Sequence, residues 1–72
     1  MRRLVTAECA QWAYQVAKFA QNLDDLVVEI TAAQILDAFA LSEMIPVELI
    51  ERAERFVIDN NLEELIWPQT PA

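Results

Sequence analysis

The sequence predicts an all-α fold: a small bundle of three to four helices, with a long first helix packed on two sides and the whole assembled as an oligomer. Three observations carry that reading. Glycine is absent from all 72 residues, so tight β-hairpins lose the residue that supplies positive φ at no steric cost, and Asn or Asp must take such positions. The first thirty residues repeat apolar side chains at helical spacing. Cap signatures and a proline punctuate the rest.

The first helix opens at Thr6, an N-cap residue, with Glu8 in the first turn where the helix dipole favours an acid. Val5, Cys9, Trp12, Val16, Phe19, Leu23, Leu26 and Ile30 recur in alternating steps of four and three, a seam of mostly large side chains expected to form the core. Ala10, Ala13, Ala17 and Ala20 repeat with the same steps on the adjacent sector. A polar strip of Glu8, Gln11, Gln15, Lys18 and Asn22 is left for solvent. One surface helix normally shows one apolar face, so two sectors predict two packing neighbours. The alanine seam is the expected self-association surface, because small residues let helix backbones approach closely. The competing reading makes this helix the central strut of a compact monomer. Since the large seam continues through Leu26 and Ile30, the helix is expected to reach about residue 29, bent near Asn22.

Thr31-Ala32-Ala33-Gln34 has the form of a capping box, with Ile30 and Ile35 as a hydrophobic staple, and predicts a second helix to about Leu41. Ser42 to Ile45 is expected as a connector, since Pro46 disfavours helical geometry in the residue before it and suits the start of a new helix. The third helix should run from Pro46 to about Asp59, with Leu49, Ile50, Ala53, Phe56 and Val57 on one face. Asn61-Leu62-Glu63-Glu64 opens a short fourth helix with Leu62, Leu65 and Ile66 inward, and Trp67-Pro68 stops it. The domain is therefore expected over residues 1–67, with Trp67 plugging the core and 68–72 a flexible tail. Asn22–Val27 resembles Asn61–Ile66 in sequence, which reads as two uses of one cap chemistry.

Composition narrows the function classes. There is no histidine, and the single cysteine, Cys9, cannot form an internal disulfide. Cys9 lies on an apolar seam, where burial keeps a thiol protonated. Ser42 is the only serine. Asp24-Asp25 and Glu63-Glu64 stand at helix starts, where capping explains them. Glycine-rich phosphate loops, EF-hand spacing and Glu-x-x-His are missing. The chain is expected to be non-enzymatic, with no catalytic residues, metal or cofactor.

All but one of the twelve acids lie after residue 23, against only Arg52 and Arg55, so residues 24–72 carry a net −9 and residues 1–23 a net +2, which together give the chain's −7. Such a surface repels nucleic-acid phosphates and anionic membranes and suits a basic protein partner. No stretch approaches the roughly 20 apolar residues of a membrane span, and polar residues interrupt the segment after Arg2-Arg3, so a cytoplasmic protein is expected. Apolar residues make up 56% of the chain, more than the roughly 45–50% of ordinary domains, and a body this small cannot hide them all. Homo-oligomerisation is the expected outlet.

Ala38-Phe39-Ala40-Leu41-Ser42 resembles the turn of helix-turn-helix proteins, in which a glycine stands where Ala40 stands here. The resemblance implies a DNA-binding regulator. It covers about a dozen residues, and the helix that would enter the groove carries Glu43, Glu48 and Glu51 near its start, which phosphates repel. Direct nucleic-acid binding is therefore not the first expectation. That is an acidic helical protein-interaction module, a homodimeric adaptor, inhibitor or accessory regulator of the economical kind found in phages and other mobile elements. Tyr14, Glu48, Glu51, Glu54, Asp59, Glu63 and Glu64 are its candidate partner surface. The alternative is a nucleic-acid mimic that blocks a DNA- or RNA-binding protein through its carboxylates.

Overall fold

A computed structural model describes residues 1–66, and their arrangement is mostly helical and compact. A strand β1 (Arg2–Leu4) leads into helix α1 (Ala7–Asn22), followed by α2 (Leu26–Leu41), a strand β2 (Met44–Pro46), α3 (Val47–Asp59) and a single turn α4 (Glu63–Ile66). The expected ending at Trp67, the 68–72 tail and the side chains of Leu65 and Ile66 lie outside the described residues.

α1 begins as expected, with the Thr6 hydroxyl accepting the Cys9 N–H at 3.1 Å. It does not continue to residue 29. Asp24 adopts φ 57°, the Asp25 N–H donates to the Ala20 carbonyl at 2.9 Å, and the Asp24 N–H donates to Gln21 at 3.3 Å. These two bonds make a Schellman ending, which satisfies carbonyls that a helix end would otherwise orphan. Asp25 then caps α2 at once, its carboxylate accepting the Val28 N–H at 3.2 Å. A three-residue connection of this kind sets α1 and α2 against each other as a helical hairpin, and they form the main contact of the fold.

The capping-box reading of Thr31 is corrected by the same facts. Asp25 provides the cap, so α2 begins five residues earlier than Thr31. Thr31 lies inside the helix, fully buried. Its hydroxyl donates to the Val27 carbonyl at 2.7 Å and accepts from the Arg52 guanidinium at 3.2 Å. The first bond is the i−4 back-bond that threonine makes in helix interiors.

The same ending recurs twice more without glycine. Ser42 (φ 55°) closes α2 and Asn61 (φ 56°) closes α3, with Glu43 N–H donating to Ala38 at 2.8 Å and Leu62 N–H to Val57 at 2.9 Å. Asn60 adds its side-chain amide to the Phe56 carbonyl at 2.9 Å. Leu62 and Val57 are both buried, supplying the apolar contact that accompanies this motif. The sequence echo between Asn22–Val27 and Asn61–Ile66 is therefore not a structural one. The left-handed residue is the third of the first segment and the first of the second.

The expected connector before Pro46 holds a strand. β2 pairs antiparallel with β1, Arg2 opposite Pro46, Arg3 opposite Ile45 and Leu4 opposite Met44. The all-α expectation thus gains a two-stranded ribbon. It joins segments some forty residues apart, so it needs no tight turn and the lack of glycine does not forbid it. Val5 and Ile45 leave the ribbon inward and join the core.

That core is built where α1, α2 and α3 meet. Ala10, Trp12, Ala13, Val16 and Ala20 come from α1; Val28, Ala32, Ile35 and Ala38 from α2; Ile50, Ala53, Phe56 and Val57 from α3. Three small residues, Ala13 on α1, Ala32 on α2 and Ala53 on α3, are wholly covered, as suits close approach of helix backbones.

Candidate protein-interaction surface

The alanine seam of α1 faces inward. Ala10, Ala13 and Ala20 are buried within the chain itself and Ala17 is half-buried against the same core. The expectation that this seam is the self-association surface is corrected: α2 and the rest of the fold already occupy it. The two apolar sectors of α1 merge into one broad inward face, with Trp12 and Val16 on one side and the alanines on the other. This is the internal-strut reading.

The large seam divides at the break after Asn22. Val5, Trp12 and Val16 are buried, and Cys9 and Phe19 are half-buried. Leu23, Leu26 and Ile30, expected in the core, are instead more than half exposed. Reversal of the chain at Asp24 puts Leu26 and Ile30 on a different helix with its own orientation, so their register with Phe19 no longer carries them inward.

These misplaced residues belong to the least expected surface of the molecule. Only four of the sixteen residues of α2 are polar: Glu29, Thr31, Gln34 and Asp37. At 100° per residue Val28, Thr31, Ala32, Ile35 and Ala38 share the sector buried against α1 and α3. Leu26, Ile30, Ala33, Asp37 and Leu41 share the opposite sector, flanked by Val27 and Gln34, and all seven are exposed. Leu26, Ile30 and Leu41 retain 68%, 59% and 66% of their accessible area. With Leu23 beside its start, this is a mostly apolar strip along the helix, interrupted by Gln34 and Asp37 and about 24 Å long at 1.5 Å per residue. A helix apolar on all sides is ordinarily buried on all sides. Sequence could have found it once the helix start was placed at Asp25, because Leu26 and Ile30 then fall opposite Ile35.

Tyr14, Glu48, Glu51, Glu54, Asp59, Glu63 and Glu64 are all exposed. The Lys18 ammonium sits 4.9 Å from the centre of the Tyr14 ring, a cation–π contact along the polar strip of α1. Ala40, at the glycine position of the helix-turn-helix resemblance, is helical, and the left-handed residue is Ser42 two positions later.

One concavity lies elsewhere, between the start of α1 and α3. It holds about 190 Å³ and is lined by Arg3, Glu8, Cys9, Trp12, Ile50 and Glu54 among others. Small-molecule sites typically enclose some 300–1,000 Å³, so this cleft is undersized for that use. The Cys9 thiol on its wall is pushed above its ordinary pKa, chiefly by burial, with Glu54 adding to the rise and Arg3 opposing it. Among the described residues no group of three or more Cys, Asp or Glu is placed to hold a metal ion, and no helix is long and apolar enough to cross a membrane. No protein-family model, curated protein or solved structure matches the chain.

Proposed function

We propose that the chain is a non-enzymatic, acidic, helical protein-interaction module that works as a homodimer and docks through the outer face of α2. One observation carries the reading: Leu26, Val27, Ile30 and Leu41 on α2, and Leu23 just before it, are each more than half exposed. Full burial of such a side chain is worth about 1.5–3 kcal/mol, so covering the exposed part of each returns roughly 1–2 kcal/mol. Large exposed apolar patches rimmed by polar residues mark protein-interaction sites. The exposed acids of α3 and α4 then remain free on another part of the molecule to meet a basic partner, which is how an adaptor or inhibitor uses a self-assembled base.

Sedimentation equilibrium on the wild type and on Ile30→Glu tests this. The wild type should fit a dimer, and the variant should fit a folded monomer with unchanged helical circular dichroism. A wild type that stays monomeric into the high micromolar range contradicts the reading.

A further inference from the structure

We draw no further inference here: the strongest candidate, the cleft of about 190 Å³ between the start of α1 and α3, joins a lone half-buried cysteine, Cys9, to the opposed charges of Arg3, Glu8 and Glu54, and nothing in the structure points to a ligand for it.

Discussion

Two isoleucines five residues apart on α2 give the sharpest separation of inside from outside. Ile35 is fully buried between α1 and α3, whereas Ile30 keeps 59% of its area exposed. Truncating a buried isoleucine to alanine removes its transfer free energy and leaves a cavity, at a cost of about 2–5 kcal/mol. A domain of this size has a total stability of only about 4–10 kcal/mol, so Ile35→Ala should forfeit roughly a fifth of it or more. By the usual conversion of about 4–8 °C per kcal/mol for small domains, the midpoint should drop by at least about 8 °C. Ile30→Ala loses little burial in the monomer and gains a few tenths of a kcal/mol in helix propensity, so its monomer stability should stay within about 0.5 kcal/mol. The assay is urea unfolding followed by circular dichroism at two protein concentrations a hundredfold apart. Wild-type stability should rise with concentration, as linkage to association requires. Ile30→Ala should flatten that dependence, and Ile35→Ala should lower stability at both concentrations. Equal losses for the two variants at low concentration would refute the orientation assigned to α2.

Three further outcomes follow from the local structure. Asp25→Ala removes the only side-chain cap of α2 and should cost about 1 kcal/mol, read as a lower urea midpoint; no loss would place the helix start elsewhere. Ser42→Gly relieves a non-glycine residue at φ 55° and should raise stability by roughly 0.5–1 kcal/mol, against a loss if Ser42 were extended. Burial raises the Cys9 pKa in the folded chain, so the unfolded chain releases its thiol proton first and binds fewer protons at alkaline pH. Stability should fall as pH climbs through the ordinary thiol range towards the raised folded value. Comparison with Cys9→Ala isolates that slope, and identical alkaline profiles for the two proteins would contradict the burial of the thiol.

Much of the helical content was legible from single residues. Thr6 capped the first helix as its hydroxyl predicts, and Pro46 set the start of the third. Leu49, Ile50, Ala53, Phe56 and Val57 fell on the packed face because nothing interrupts that helix's period. The path between residues 22 and 31 was not legible, because two signals conflicted. The seam's regular spacing argued for continuation, and Asn22-Leu23-Asp24-Asp25 argued for a break. Local chemistry decided it: Asp24 tolerates left-handed backbone, and the Asp25 carboxylate caps the next helix better than Thr31. One displaced helix start then moved Leu26 and Ile30 from the expected core to the surface, and relocated the candidate interface from α1 to α2. The β ribbon was illegible for a different reason. Two strands of three residues carry too little alternation to register, and their pairing spans most of the chain. The exposed acids of α3 and α4 needed no such argument, since charged side chains take solvent by default.

Dilution of isotopically labelled protein, followed residue by residue through its amide NMR shifts, interrogates the outer face of α2 most directly. Between millimolar and low-micromolar concentration the shifts should move at Leu26, Val27, Ile30, Ala33, Gln34, Asp37 and Leu41, while Ala13 and Ala17 on α1 hold still. A spectrum indifferent to dilution, or one that changes along α1 instead, would contradict the account.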